Sequence, residues 1–434
     1  MDIKAVISIS IFVISYLFIV IEKAPRVYVA LSGTVMLVLL KIYTPQEVAL
    51  YIDWETLSFL FGIFITVKIV EQSGFFNYFS LLVARKLKFN AVKIFIFFPA
   101  MAALLSGFID SISVIVFLAP LTYALSRILK FNPIPYIIAE VCLANIGGAG
   151  TLMGDPPNII LGSMFNLGFT DFAKHNWIIS MVAAFTAILV FYRMNRKDLL
   201  RLNMALKKED LGKLVPEEAI EDRFLMKIGL SGLVSTVAIL VLRDFIKEKV
   251  PLNIGLSSLI PAFTILTLKG HNPKLRNIIK EIDIETLLFL AGLFVIVGSL
   301  EKTGVMNLLA SSVREFAENG KSMASILFWG GALTSSIIDN VPEAISIGYL
   351  IKNLIPLLPY SFTLLIWAAS LGLDMGGNLT PVGASANVVG YTFMENHKVS
   401  VGWKKWIFLS FIPTFAALIV SWLLIMLKHA VGFY

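Results

Sequence analysis

The sequence predicts an all-α integral membrane fold made of two copies of one unit. Three observations predict it. Hydrophobic residues make up 57% of the 434 residues and charged ones only 15%, with a mean hydropathy of +0.83. A soluble chain of that size could not cover its surface with so few charges. Apolar runs long enough for a ~30 Å hydrocarbon layer recur throughout. One passage also occurs twice: GGAGTLMGDPPN at 147–158 returns as GGNLTPVGASAN at 376–387, and DWETLSFLFG at 53–62 returns as DIETLLFLAG at 283–292. One offset relates Asp53 to Asp283, Glu71 to Glu301 and Gly74 to Gly304. An offset shorter by a single position relates Asp110 to Asp339, Thr151 to Thr380, Gly154 to Gly383 and Asn158 to Asn387. So small a drift over such a distance marks a duplication.

Along the chain the apolar runs give about ten full spans, near 5–21, 27–42, 54–70, 136–165, 177–193, 224–242, 253–268, 284–300, 362–392 and 405–427. The first resembles a signal peptide, but no small-residue cleavage site follows it. EKAPR at 22–26 reads as a loop, so the run is expected as a retained span. The fourth and ninth runs are long and interrupted by Gly and Pro. Between spans, 74–135 and 304–361 each hold a mildly amphipathic stretch and then two short apolar arms. Asp110-Ser111 interrupts one pair of arms and Asp339-Asn340 the other. A charge at bilayer depth on an isolated helix costs ~3 kcal/mol or more. A re-entrant helical hairpin with its tip in a protein-lined cavity avoids much of that cost, so both segments are expected as hairpins. The expected divisions are 1–52 (N-terminal spans, a scaffold), 53–193 (first repeat), 194–282 (a basic loop and connecting spans) and 283–427 (second repeat).

Charge sets the orientation. With the N-terminus outside and the hairpins not crossing, roughly two thirds of the Lys and Arg fall on the cytoplasmic side. They include Lys23, Arg26, Arg85, Lys86, Arg127, Lys130, Arg196, Lys197, Arg201, Lys207, Lys208, Lys213, Lys274 and Arg276. Five spans separate Asp53 from Asp283, so the two repeats insert upside down relative to each other. Inverted repeats, with broken helices at the midplane, are the architecture of alternating-access transporters. The net charge of +7 sits in short loops, which argues against a nucleic-acid partner. The single Cys142 excludes an internal disulfide and a multi-cysteine metal site, and the four histidines fall in loops or near span ends.

The chemistry is expected at the breaks. Gly147, Gly148, Gly150, Pro156 and Pro157 cannot lie in one unbroken helix, nor can Gly376, Gly377, Pro381 and Gly383. Unwinding frees carbonyls for a cation and exposes a half-helix N-terminus to anions. Thr151, Asp155, Asn158, Thr380, Ser385 and Asn387 add oxygen ligands in the same stretches. The alternative is a kink that binds nothing. At the hairpin tips, Asp110, Ser111, Asp339 and Asn340 offer hard oxygens that suit Na⁺, with Asp110 and Asn340 as the pair that would hold it. A desolvated carboxylate there could instead carry a proton. Each Asp could also cap a short helix. Asp374 matches Asn145 and precedes the second break, a further proton carrier. No cofactor is expected beyond Na⁺ as a coupling ion. No arginine is expected at the midplane, which tilts the reading from an organic-anion carrier toward a cation exchanger or a weakly charged substrate. No HExxH, GxSxG or ATP-binding motif is present, so an intramembrane enzyme fits poorly and any ATP drive would need a separate subunit. A passive channel is the remaining rival.

GGAGTLMGDPPNIILG at 147–162 and GGNLTPVGASANVVG at 376–390, with the tips FIDSISVIVFLAP at 108–120 and IIDNVPEAISIG at 337–348, resemble the paired signatures of the ion transporter superfamily. The similarity is to its branch of arsenical-pump membrane proteins, citrate–metal transporters and P-protein-like members. Divalent-anion carriers of that family tend to place Ser-Asn-Thr at the tips and bind Na⁺ there. The matching places here hold Asp110-Ser111 and Asp339-Asn340, so that sodium site does not carry over intact. The resemblance implies a homodimer, each protomer with a scaffold part and a transport part that moves like an elevator in the bilayer. It implies a small ion or anion as substrate, among arsenite, Na⁺ against H⁺, citrate–metal complexes, dicarboxylates and sulfate. The expected function is thus secondary active transport across the plasma membrane, coupled to H⁺ or Na⁺. A cation/proton antiporter and an arsenite or citrate/dicarboxylate permease stay open as alternatives.

Overall fold

The computed structural model describes residues 2–21, 24–88, 90–205, 216–246, 250, 252–269, 273–315, 319–357 and 363–433. Of the charges used for orientation, Lys23, Lys207, Lys208 and Lys213 lie outside the described residues, as does His271. The described residues are helical and hold no strand. Two N-terminal helices, α1 (Ile3–Ile21) and α2 (Arg26–Leu39), lead through the short α3 (Pro45–Tyr51) into the first repeat. That repeat runs α4 (Trp54–Gln72), α5 (Phe75–Lys86), α6 (Ala91–Ser106), α7 (Ser111–Leu129), α8 (Ile134–Gly148) and α9 (Pro156–Phe165). The one-turn α10 (Phe169–Phe172) follows, then α11 (Ile178–Ala205), α12 (Arg223–Ile246), α13 (Ile254–Lys269) and α14 (Pro273–Ile278). The second repeat has the same order: α15 (Ile284–Lys302), α16 (Val305–Glu315), α17 (Gly320–Ser335), α18 (Asn340–Leu354), α19 (Thr363–Gly376), α20 (Ser385–Asn396) and α21 (Gly402–Ala430), the last corresponding to α11.

Local chemistry repeats with the sequence. Asp53 caps α4 by accepting from the Glu55 and Thr56 amides, and Asp283 caps α15 by accepting from the Thr286 amide. Each such cap stabilises its helix by about 1 kcal/mol. Gly74 and Gly304 turn the chain into α5 and α16 with φ of 76° and 78°, a region where any side chain would be strained. Asn90 and Asn319 cap α6 and α17.

The packing is also matched. Helices α6 and α8 pack together as α17 and α19 do. The halves interlock, because α18 lies on α9 and α20 lies on α7. Thus the second arm of each hairpin rests on the broken span of the other half. Likewise α12 and α13 pack on α4, while α1 and α2 pack on α15. Helices α8 and α19 are buried along almost their whole length, apolar all round apart from the polar residues described below. That is the composition of a helix at the centre of a bundle.

Among the described residues, four helical segments are long and apolar enough to cross a membrane: Phe169–Leu202, Arg223–Arg243, Ile284–Lys302 and Gly402–Ala430. A fifth arises if α3 and α4, bent by 64°, count as one. Six further apolar helices are shorter. The difference from ten full spans has a physical reason. The fourth and ninth runs are divided by their Gly/Pro breaks, and the first, second and seventh form helices shorter than a full span.

Candidate functional site

Breaking α8 from α9, and α19 from α20, strands buried carbonyls that need donors. The same residues supply them in both halves. Asn158 Nδ2 donates to Gly148 O (3.1 Å) and Thr151 O (2.9 Å); Asn387 Nδ2 donates to Gly377 O (2.8 Å) and Thr380 O (2.7 Å). Thr151 Oγ1 donates to Gly107 O and Thr380 Oγ1 to Ser336 O, both at 2.6 Å. Ser106 Oγ donates to Ala144 O at 2.6 Å, and Ser335 Oγ to Leu373 O at 2.7 Å. The tips join in: the Ser111 amide donates to Gly154 O and the Asn340 amide to Gly383 O. Every one of these bonds joins equivalent positions of the duplication. Each hairpin tip is therefore fastened to the break of its own half.

The expected ligands Thr151, Asn158, Thr380 and Asn387 thus lie at the breaks, with their donors given to backbone carbonyls. Asp110 and Asp339 cap their hairpin arms. Asp110 accepts from the Ser113 amide (2.9 Å) and hydroxyl (2.7 Å). Asp339 accepts from the Val341 amide (3.1 Å) and from Ser385 Oγ (3.0 Å). Capping does not exhaust Asp339, whose Oδ2 also faces Arg26 Nη1 at 3.0 Å.

The two halves meet at Asp155. Its Oδ1 accepts from Ser111 Oγ and its Oδ2 from Asn340 Nδ2, each at 3.0 Å. One carboxylate at the first break therefore holds the tips of both hairpins. Asn340 bonds Asp155 and Asp110 bonds Ser113, so the two residues expected to hold Na⁺ have different partners. A second cross-half junction lies beside it. Asn145 Nδ2 donates to Asn378 Oδ1 and Asn387 Oδ1, each at 2.8 Å, and Ser370 Oγ donates to Asn158 Oδ1 at 2.6 Å. Asp374, fully buried, neighbours Asp155 and Asn158. Beyond these two neighbours its oxygens have no hydrogen-bond partner among the described residues. A buried polar group in that state is costly without a bound partner.

Asp110, Asp155, Asp339 and Asp374 are all buried, and Arg26 is the cation bonded to one of them. An acidic cluster of this kind favours a cation or a proton over a bare polyanion. No three His, Cys, Asp or Glu converge as metal ligands among the described residues. A monovalent cation would therefore draw on hydroxyl, amide and backbone oxygens as well.

Sequence reasoning missed Arg26, which it left in a cytoplasmic loop. The structure starts α2 at Arg26 and carries its guanidinium to the second tip. A cation at a helix N-terminus opposes the dipole, and an acid partner offsets that. Arg26 thus reaches a residue expected at the site, which a search for arginine within the apolar runs did not show. Asn378 and Ser370 were also missed; Asn378 stands where the first half has Ala149, so duplication did not flag it. Glu140 is buried and accepts from Thr122 Oγ1. Lys68 pairs with Glu71 (3.1 Å) and lies 3.6 Å from Glu281.

Comparison with known proteins fits this architecture. A family model described as "Citrate transporter" matches residues 16–372. The 46 kDa membrane protein of Mycobacterium leprae is 32% identical, over 89% of this chain and 90% of its own. An uncharacterized transporter of Mycobacterium tuberculosis is 33% identical over 89% of each. The mouse P protein is 25% identical over 88% of this chain, which spans about half (54%) of that longer protein. Among solved structures, the YdaH transporter of Alcanivorax borkumensis superposes with a TM-score of 0.58 at 15% identity, covering 87% of this chain and 86% of that one. Neisseria gonorrhoeae MtrF, described as illuminating a class of antimetabolite efflux pumps, gives 0.57 at 15% identity, over 90% and 83%. Those two likenesses concern the fold alone. With the family matched over most of its length, the chain belongs to the citrate transporter family of the ion transporter superfamily, as a multi-pass membrane transporter.

Proposed function

We propose that this transporter is a secondary active carrier that couples its cargo to H⁺ or Na⁺ by alternating access. The observation that carries the reading is Asp155, held by Ser111 of one hairpin and Asn340 of the other. A cation or proton taken up there alters the contacts of both hairpins at once, which is what coupling requires. Asp110, Asp339 and Asp374 supply further negative charge. Ser111, Asn340 and Ser385 hold the tips, and Thr151, Asn158, Thr380 and Asn387 hold the breaks. A coupling Na⁺ would sit between Asp110, Asp155 and Asn340.

In this reading the two halves are inverted in the bilayer, so that one hairpin opens to each side. The protein sits in the plasma membrane with its N-terminus outside and works as a homodimer. The interlocked α6–α9 and α17–α20 move as the transport part, and α1, α2, α4, α12, α13 and α15 form the scaffold.

The acidic cluster favours a cation/proton antiporter. The family description favours a second cargo, citrate, and the same acids then require it to enter with its charge covered by a cation. Arsenite would travel as neutral As(OH)₃, because the chain has a single cysteine.

The test is proteoliposomes holding a pH-sensitive dye under an imposed pH gradient, with Na⁺, Li⁺, citrate with and without a divalent cation, malate and arsenite added in turn. Proton movement on Na⁺ or Li⁺ alone identifies the antiporter. Movement only on cation-bound citrate identifies the permease. Collapse of the gradient without any cargo would mean a channel and would overturn the coupled reading.

A further inference from the structure

The two hairpins agree at their tips but differ along their arms. Thr334, Glu343 and Ser346 stand where the first hairpin, at the equivalent positions of the duplication, has Leu105, Val114 and Phe117. All three polar residues line one cavity of about 310 Å³ between α1, α16, α17 and α18. Helix α1 closes it with Phe12 and Tyr16, whose ring centroids are 4.2 Å apart. Glu343 is only 6% exposed and Tyr16 7%. The Thr334 hydroxyl donates to one Glu343 oxygen. The other Glu343 oxygen has no hydrogen-bond partner among the described residues, and the Tyr16 hydroxyl lies beside that of Ser346. The remaining walls are mainly apolar, Leu350 among them, and the exposed Gly330 and Thr334 mark the mouth.

A buried carboxylate with an open oxygen is costly unless a cation pairs with it. A proton alone would satisfy Glu343 but would leave a chamber this size unused. No three His, Cys, Asp or Glu converge here as metal ligands among the described residues. An anion would be repelled by Glu343. A primary ammonium carries three donors, which match the oxygens of Glu343, Tyr16 and Ser346. The Phe12 and Tyr16 rings add cation–π attraction, and the apolar walls bury a hydrocarbon body. The volume lies at the small end of ligand pockets, which suits a single-ring arylalkylamine.

We propose that this cavity binds a small hydrophobic primary amine in its ammonium form, with Glu343 as counter-ion. The site is separate from Asp155, so it stands whatever the transported cargo is. The test is equilibrium binding of tritiated 2-phenylethylamine to the full chain in phosphatidylcholine nanodiscs, which contain no primary amine. Saturable binding of one amine per chain is expected. Glu343→Gln should weaken it at least tenfold. Gly330→Leu should abolish it by filling the mouth; a Cβ at Gly330 meets nothing within 4 Å, so that helix accepts the change. Neutral 2-phenylethanol should fail to displace the amine from the unaltered protein. Absence of saturable binding, equal affinity in Glu343→Gln, or equal displacement by the alcohol would each overturn the proposal.

Discussion

Exchanging the two side chains at the meeting point of the hairpins tests the site directly. Asn340 Nδ2 donates to Asp155 Oδ2 at 3.0 Å. Asn340→Asp turns that donor into an acceptor and sets two buried carboxylates against each other. It forfeits a charge-assisted bond of about 1.5–3 kcal/mol and adds like-charge repulsion. Asp155→Asn is milder. Its amide can still accept from Asn340 while the Ser111 hydroxyl rotates to accept from it, so only the charge assistance goes, about 1–2 kcal/mol. The double exchange Asp155→Asn with Asn340→Asp restores one donor facing one carboxylate, with the net charge unchanged. The cycle should therefore show a coupling of about 2–3 kcal/mol, a thirty- to hundredfold recovery in rate over the product of the single effects. The assay is initial flux in proteoliposomes at equal protein density, with thermal midpoints of the purified variants as an independent measure. If the double loss equals the sum of the single losses within about 0.5 kcal/mol, the two residues act separately and the junction is not a unit.

Three more outcomes are expected. A Cβ at Gly147 would lie 2.0 Å from Ala103 O, and one at Gly376 would lie 2.3 Å from Ala332 O. Gly147→Ala and Gly376→Ala should therefore each lower the thermal midpoint by the equivalent of about 3 kcal/mol or more, whereas Gly331→Ala, whose nearest neighbour is 3.4 Å away, should be neutral or stabilising by up to about 1 kcal/mol; equal midpoints for Gly147→Ala and wild type would contradict the close approach of α6 and α8. Asn158→Ala and Asn387→Ala each strip donors from two carbonyls, about 1–3 kcal/mol per group, and hydrogen exchange should rise at 148–154 in the first and 377–383 in the second; unaltered protection would mean the breaks hold without them. Arg26→Ala should cost about 1.5–3 kcal/mol by leaving Asp339 without its cation, and adding Asp339→Asn should recover part of that in the thermal midpoint; a further fall on the second change would show that the ion pair is not what Arg26 contributes.

The sequence made the duplicated skeleton visible because its constraints are local. A Gly/Pro break needs an amide donor close by in the chain, and Asn158 and Asn387 follow Thr151 and Thr380 within two helical turns. Polar residues beside a break, however, either bind cargo or satisfy the broken backbone, and their identity does not say which. Thr151 and Thr380 proved to be tied to the backbone of the hairpin tips. Span counting from apolar runs ran ahead of helix length where Gly and Pro divide the fourth and ninth runs and where the first, second and seventh helices are short. The Arg26–Asp339 pair joins residues 313 apart in sequence, and no repeat offset points to it. It depends on how α2 is set against the second hairpin.

The repeated contacts and the unrepeated ones divide by role. Carbonyl-holding amides, tip-to-break bonds and close helix approaches recur at equivalent positions of the two halves. Apart from the matched tip acids Asp110 and Asp339, the groups able to bind or release a charge do not. Asp155 faces Ala384 across the duplication, Asp374 faces Asn145, and Glu343 faces Val114, while Arg26 bonds Asp339 and not Asp110. Under the proposed alternating access, two equivalent exits need matched mechanics, since each half must open and close at comparable cost for the cycle to run. Matched chemistry would instead give two equal sites that never meet at one ion. A single carboxylate drawn from one half and grasped by both tips lets one binding event bias the whole pair of hairpins. On that reasoning the residues that set cargo and coupling are to be sought where the repeat fails, and those that set the path of motion where it holds.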